Sequence, residues 1–460
     1  MEIVNDIDFQ IYNGRFDFED AIINIHCLRF FSAHTIEKTN QLKFINCTFN
    51  GTIEIQDIKK PSFKLSFNEC VFNEDITIND IEFDYIFFID SKKIKNIHID
   101  GIFNRLRFNN KGIPLNGDIA IWAKIQKELN LDNIFIEKGQ LDLNINSFDN
   151  LENKNFSSTF KNAKIYEGSF VNSHFGEYAN FKNLKIFHKL IFEDCKFVKS
   201  NFEFSDFKST SFNNCKFYST TLIENSQQLN YAELKFIACR FEKYVLFDNS
   251  IFKSFEISHS VFQKKVSFDS FETNMMKLHQ VTFAEAAYFD DLNKNNNDVI
   301  ENWDRKTLRA IKRELVNTHN QIDYLRFKAY ELIAYKKEVN QNKLNWKDLL
   351  ILHFNEDSNY FGLDWTKGIR FIFQWSFIFY VLYIISYSAR IDDSNCIPKI
   401  EDFLTNYLKF TNPLSFLDTP LVNSEDYFLP LLFTSMSKIF VSYGIYQTIQ
   451  AFRKFGVNGG

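Results

Sequence analysis

The sequence predicts a mainly β chain, with a β-solenoid over roughly the first 290 residues followed by an α-helical hairpin and two transmembrane helices. Three observations carry that prediction. Apolar side chains recur every five residues between Phe187 and Leu222. Phenylalanine is used 55 times in 460 residues, while glycine and proline number 14 and 6. Two long apolar stretches lie near the carboxyl end. A spacing of five matches neither the roughly 3.6-residue period of a helix nor the two-residue period of an ordinary strand, so it demands a repeat architecture.

The clearest series is Phe187, Phe192, Phe197, Phe202, Phe207, Phe212, Phe217 and Leu222. Two places before each member from Phe197 onward stands a small residue: Cys195, Ser200, Ser205, Thr210, Cys215 and Thr220. The spacing also holds for Phe160, Ile165, Phe170 and Phe175, behind Ser158, Ala163, Gly168 and Ser173, and returns for Phe247, Phe252, Ile257 and Phe262. Six-residue steps to Phe181 and Phe187 mark bulged coils. The polar run Glu224 to Gln228 reads as a loop pushed out of one corner. The regular interval is 160–268.

A large apolar centre with a small residue two places earlier resembles the pentapeptide-repeat family. The resemblance implies a right-handed coil that turns a corner every five residues, with four units to one square coil. Residues 1–150 belong to the same solenoid in less regular form. The words Phe44 to Phe49 and Phe67 to Phe72 echo Phe192 to Phe197 and Phe236 to Phe241. Alternating strands at Thr52-Ile53, Ile76 to Ile78 and Ile97 to Ile99 return about every 21 to 22 residues. One short helix is expected to interrupt them, at Ile119 to Asn130. With coils advancing by about 4.8 Å, the rod should be on the order of 60 to 70 Å long.

Cys47, Cys70, Cys195, Cys215 and Cys239 all lie two residues before a phenylalanine, where Ser200, Ser205, Ser250 and Ser260 stand elsewhere. They read as small core fillers. No pair has zinc-finger spacing, and the odd total of seven argues against a disulfide framework. The opening Met1 to Asp6 carries no basic region followed by an apolar stretch, which places the solenoid in a reducing cytosol.

After about residue 290 the character changes. Asp290 to Asp298 reads as a polar linker, and Trp303 to Val316 and Ile322 to Val339 have helical spacing through Leu308, Ile311 and Leu315, then Ile322, Leu325, Ala329 and Leu332. The break at Asn317 to Asn320, with Asn320 as cap and Asp323 three places on, predicts an antiparallel hairpin over 300–340. The same positions fit heptad a and d sites, so a self-associating coiled coil is the alternative. Arg305, Lys306, Arg309, Lys312 and Arg313 form a solvated basic face that could sit near anionic headgroups.

Residues 341–460 form a membrane domain. Ile369 to Ser388 carries only Arg370, at its start, and is uncharged from Phe371 onward; about 20 predominantly apolar residues cross a bilayer core. A second span, about Phe428 to Ile449, contains Pro430, Ser435, Ser437, Lys438, Ser442 and Gln447. Lys438 lies about ten residues from either end, and with Ser435, Ser442 and Gln447 is expected to share one broad helical face as a candidate intramembrane polar site. An alternative shifts the span or makes it partly re-entrant, so that Lys438 lies near an interface. Lys367, Arg370, Arg453 and Lys454 against Arg390, Lys399 and Lys409, with a large domain lacking an export signal, put both termini in the cytoplasm and the 391–426 loop outside. The junction Ser358 to Trp365 and the ending Ile445 to Lys454 are similar to the tails of bacterial membrane proteins that join pentapeptide repeats to two carboxyl-terminal spans.

No catalytic, cofactor-binding or metal-binding residues are identified: nine histidines are scattered singly, and no phosphate loop or nucleophile elbow occurs. The expected function is a non-enzymatic scaffold or sensor at the inner membrane, binding the lipid bilayer and a cytosolic protein. Family resemblance also brings in DNA mimicry, but a net charge of −5 over 460 residues is slight, and no nucleic-acid partner is expected. The alternative is a homo-oligomeric pore gated by the solenoid. A selectivity filter of the potassium type is absent, since only Ser442-Tyr443-Gly444 appears and it lies inside the span.

Overall fold

The computed structural model describes residues 40–110, 114–146, 156–203, 205–224, 232–294, 297–342, 346–388, 400–414 and 428–452, with short strands inside 2–29. Two compact units divide at Ala310 and Ile311. The first is a β-solenoid of about eleven turns over residues 41–288, all strands parallel to those one coil before and after. At about 4.8 Å per turn these turns stack over roughly 50 Å, and Arg15–Glu19 and Cys27–Arg29 pair in parallel with Gln41–Ile45 and Thr52–Gln56 to continue the stack toward the amino end.

Each coil carries inward side chains that stack on their equivalents in the next. Phe175, Phe197, Phe217, Phe241 and Phe262 form one ladder, with successive ring centroids 4.9, 4.7, 4.5 and 4.5 Å apart and planes within 9° of parallel. These distances are the strand spacing itself, which brings like residues at like coil positions into stacking range. Phe160, Phe181 and Phe202 form a second ladder at 4.7 and 4.6 Å. Ile165, Ile186 and Phe207 form a third, and Phe170, Phe192, Phe212, Phe236, Ile257 and Leu278 a fourth. Four ladders at five-residue intervals account for the sequence period.

Corners are turned by residues with positive φ, among them Asn172, Asp194, Asn214, Ala238, His259 and Gln280, one coil apart. Asn and Asp tolerate this left-handed region better than most side chains, which explains why they dominate the position. Except after Gln280, where Val281 follows, the next residue is buried and small, and its side chain donates back to the preceding coil. Cys195 Sγ reaches Phe170 O at 3.1 Å and Cys239 Sγ reaches Phe212 O at 3.2 Å. Ser173 Oγ makes the equivalent bond to Leu143 O at 3.1 Å. Serine and cysteine alternate there because both fit the space and both donate. Cys47, Cys70, Cys195, Cys215 and Cys239 are buried thiols outside any disulfide, and burial pushes the Cys195 and Cys215 thiols well above their ordinary range.

The structure corrects three sequence expectations. Ile119–Asn130 is a strand, not a helix: it pairs in register with Ile97–Asn109 and Phe135–Asn146. Its Ala, Lys, Gln and Glu favour helix in isolation, but Ile119, Ile121, Ala123 and Ile125 alternate inward, and flanking strands override propensity. Phe187 is not a core centre. Ile186 fills that ladder, while Phe187 lies half-buried outside, its ring under Lys185 Nζ at 5.4 Å, and the extra residue falls before Phe192 instead. At the end of the series Thr221 and Ile223 are the buried pair rather than Thr220 and Leu222, and Ser200 Oγ donates to Thr221 Oγ1 at 3.2 Å. Most of the expected corner loop, Asn225 to Gln228, lies outside the described residues.

The polar linker begins later than its composition suggests. Asn293 is buried, and its side-chain amide accepts from Thr273 N at 2.7 Å and donates to Thr273 O at 2.7 Å, pairing as a strand residue would. Asn110 does the same to Ser91, at 2.9 and 3.0 Å. The edge of the last long strand, Glu272–His279, is then covered: Leu278 N donates to Thr307 Oγ1 at 2.9 Å and Trp303 Nε1 donates to Asn274 O at 3.2 Å. Thr307 lies in the first turn of helix α1 (Arg305–Asn317), which Asp304 caps through bonds from the Lys306 and Thr307 amides.

In the second unit, the chain leaves α1 after Asn317 and turns at His319, with φ of 58°, and α2 (Gln321–Asn342) begins under the Asn320 cap, which accepts from Asp323 N at 3.1 Å. Lys312 on α1 pairs with Glu331 on α2. The buried face of α2 includes Phe327, Ala329, Tyr330, Ile333 and Ala334; Ile322, expected on it, is exposed. Lys306, Arg309 and Arg313 are exposed, as a solvated face requires.

Phe197→Ala should cost about 3 to 5 kcal/mol in denaturant unfolding, because both stacking neighbours lose a partner. Lys208→Ala, exposed beside Phe207, should stay within about 0.5 kcal/mol. Cys215 should resist a thiol reagent until the solenoid unfolds; labelling at native conditions as fast as a free thiol contradicts its placement. Ala238→Gly should raise stability by about 0.5 to 1 kcal/mol by relieving a left-handed alanine, and a lower denaturation midpoint contradicts that account.

Candidate functional site

Three further helices follow α3 (Trp346–Asn359): α4 (Trp365–Ser388), α5 (Ile400–Thr411) and α6 (Phe428–Phe452). Helices α4 and α6, 24 and 25 residues long, are long and apolar enough to cross a membrane. Their surfaces are inverted relative to a soluble bundle. Exposed positions include Phe373, Phe377, Ile385, Leu432, Ile439 and Ile449. The buried face of α6 is Pro430, Thr434, Ser437, Lys438, Val441, Gly444, Gln447 and Ala451. The two helices approach closely at glycines. A Cβ on Gly368 would lie 2.2 Å from Thr448 Oγ1, and one on Gly444 would lie 2.5 Å from the Ile372 side chain.

Lys438 is fully buried midway along α6. Its ammonium donates to the carbonyl of Lys409 at 3.4 Å and to that of Asn412, and lies 6.0 Å from the Phe410 ring centroid. Those carbonyls are the open end of α5. A helix carboxyl terminus carries partial negative charge and unsatisfied acceptors, so it offers what a buried cation needs. Helix α5 is held at this level by aromatic packing on the middle of α4. Tyr380, Tyr383 and Phe379 bury against Phe410, the Ser376 and Tyr407 hydroxyls are 2.8 Å apart, and Tyr380 OH donates to Phe403 O at 3.2 Å.

The expected polar face does not assemble. Ser442 is exposed, Ser435 is half-buried, and Gln447 belongs to another cluster. Helical geometry gives the reason: nine residues make about two and a half turns, so Gln447 lies across the helix from Lys438. The buried face is centred nearer Ser437, Val441 and Gly444, with Lys438 and Gln447 at opposite margins.

Gln447 instead closes a polar knot that sequence reasoning missed in part. Asn359 Nδ2 donates to Gln447 Oε1 at 2.5 Å and to its backbone carbonyl at 3.2 Å. Gln447 Nε2 and Tyr443 OH both donate to Asn355 Oδ1, at 3.1 and 3.0 Å. Asn359 also accepts from Gly362 N at 2.9 Å, holding a turn in which Tyr360, Phe361 and Gly362 all have positive φ, at 49°, 55° and 92°. Two such non-glycine residues cost about 1 to 2 kcal/mol each, so the turn depends on its tethers. Asp364 then caps α4 through bonds from Thr366, which hold its carboxyl below the usual range. Trp365 stacks on Phe452 at 5.1 Å. The sequence words around 358–365 and 445–454 therefore meet in one site across the helix pair, through residues up to Phe452; Arg453 and Lys454 lie outside the described residues. Asn355 and Tyr443 carried no signal beyond their place on otherwise apolar helices.

Comparison with known proteins finds no matching family model, no similar curated protein and no similar solved structure.

Asn359→Ala and Gln447→Ala should each lower the stability of the detergent-solubilised protein by about 1 to 3 kcal/mol. Because both break one linkage, the double variant should lose much less than the sum, and full additivity in a thermal melt contradicts the knot. Gly368→Leu should disrupt the α4–α6 pair, read as loss of the folded species by size-exclusion chromatography.

Proposed function

We propose that this chain is a membrane-anchored β-solenoid of the bacterial pentapeptide-repeat type, a non-enzymatic scaffold whose two spans, α4 and α6, hold it at the inner membrane with both termini in the cytoplasm. The observation that carries the anchor is the inverted helix pair: large apolar side chains outside, glycines, hydroxyls, Gln447 and Lys438 inside. In water that arrangement exposes the wrong face, whereas in a bilayer it puts the apolar surface in lipid and satisfies polar groups internally. The solenoid supports the scaffold reading because its interior is filled by stacked side chains, leaving its outer faces as the surface on which a partner can be held. Expressed in bacteria, the chain should remain in the membrane pellet after alkaline carbonate extraction. Recovery in the soluble fraction removes the anchor. Protease added to intact spheroplasts should leave the solenoid uncut, and its digestion from outside reverses the orientation.

The pore reading has one observation in its favour. A helix of half the usual span length, α5, aims its carbonyl end at a charged residue midway along α6, an arrangement that places a polar site at membrane depth. If an oligomer conducts through this site, purified protein should give currents in planar bilayers that Lys438→Leu abolishes. Currents absent from the wild type leave Lys438 as the residue that holds α5 in place.

A further inference from the structure

The solenoid carries a surface groove of about 440 Å³ along one corner, touching the coils that contain Lys59, Asp80, Asp100, Trp122 and Asn144. Its origin is local. Between Ile78 and Ile81 the strand Ile76–Ile89 bulges against its neighbour, and the facing residue is Gly101, whose lack of a side chain lets the Ile81 backbone press close and form the groove floor. A Cβ at Gly101 would lie 2.5 Å from Ile81 O, so the floor tolerates no larger residue. Ala123 continues that floor in the next coil.

Over this floor stands Trp122, 53% exposed, the most exposed large apolar side chain among the described residues of the solenoid. The ring is braced edge-to-face by His98 at 5.0 Å, which presents an ordered indole face. Asp100 is its in-register neighbour on the adjoining coil, so the two are about one strand spacing apart. Glu82 faces them across the Gly101–Ala123 floor, in the column of Ile102 and Lys124. The carboxylates of Asp100 and Glu82 have no ion-pair partner among the described residues. Asp80, by contrast, is neutralised by Lys59 at 3.3 Å. Lys124 stands on the far rim, in register with Ile102 and two coils from Glu82.

An exposed indole face beside two uncompensated carboxylates is complementary to a planar cation. Guanidinium stacks on tryptophan while its edge forms paired hydrogen bonds to a carboxylate, which a compact ammonium cannot do at once. We propose that this groove receives an arginine side chain from a basic segment of a partner protein, with Trp122 as the stacking platform, Asp100 as the bidentate acceptor and Glu82 as the second countercharge. This rests on the scaffold reading and names the chemistry of its partner. The groove spans several coils, so an extended peptide laid along the axis can place one arginine there and run on over the neighbouring coils.

The test uses the full-length protein in detergent, at low salt because the contacts are exposed, and a fluorescein-labelled peptide with two arginines flanked by alanines, read by anisotropy. A matched peptide with citrulline, which keeps the shape and removes the charge, should bind at least about tenfold more weakly. Trp122→Ala and Asp100→Asn should each weaken binding by about tenfold or more with an unchanged melting temperature, Trp122→Phe should recover part of the loss, and Lys208→Ala should do nothing. Equal affinity for citrulline, no binding at millimolar peptide, indifference to Trp122→Ala, or preference for a neutral oligosaccharide such as maltoheptaose overturns the site. A defined protein ligand that crosslinks to the solenoid and binds Trp122→Ala as tightly as wild type overturns the groove while leaving the scaffold reading standing.

Discussion

The distance between hydrogen-bonded strands governs the first unit. Because each coil lies about 4.8 Å from the next, a residue is always packed against the one that holds its place a coil earlier. That single spacing selects flat rings for the ladders, small donors for the corners, and residues tolerant of left-handed backbone between them. Phe197 between Phe175 and Phe217, and Cys195 under Phe170 O, are consequences of the same constraint. It also explains the scarcity of glycine, since corners taken by Asn and Asp give up less backbone entropy than glycine would.

Much of this was legible in the sequence because the period is short and the side chains are large. The misplacements are informative. Ile186 and Phe187 are both apolar and adjacent, so the spacing could not distinguish them; the exposed residues before Phe192 decide the phase, and they lie outside the repeat. The strand at 119–130 was hidden by good helix formers on its outer face, where only the paired coils on either side decide. Asn110 and Asn293 look like turn residues, yet their amides act as one-residue strands, which no local pattern announces.

The helical unit shows the reverse balance. Helices α4 and α6 were evident from apolar length, but the placement of Lys438 was not. Periodicity can list which residues share a face; it cannot say that a separate helix ends against one of them. The knot at Asn359 and Gln447 was half visible, as two short words, one before α4 and one at the end of α6. Their contact joins positions 88 residues apart, a relation carried by tertiary structure alone.

The cover over Glu272–His279 has a consequence for how such a protein can change. Thr307 and Trp303, which close the stack, belong to the segment after the coils rather than to a coil. Whole coils can therefore be gained or lost upstream while the same closure still finds a strand edge to sit on. The reach of the solenoid becomes adjustable in steps of one strand spacing, with the helical unit left untouched, so that a lineage could tune the size of its surface by duplication without inventing a new end.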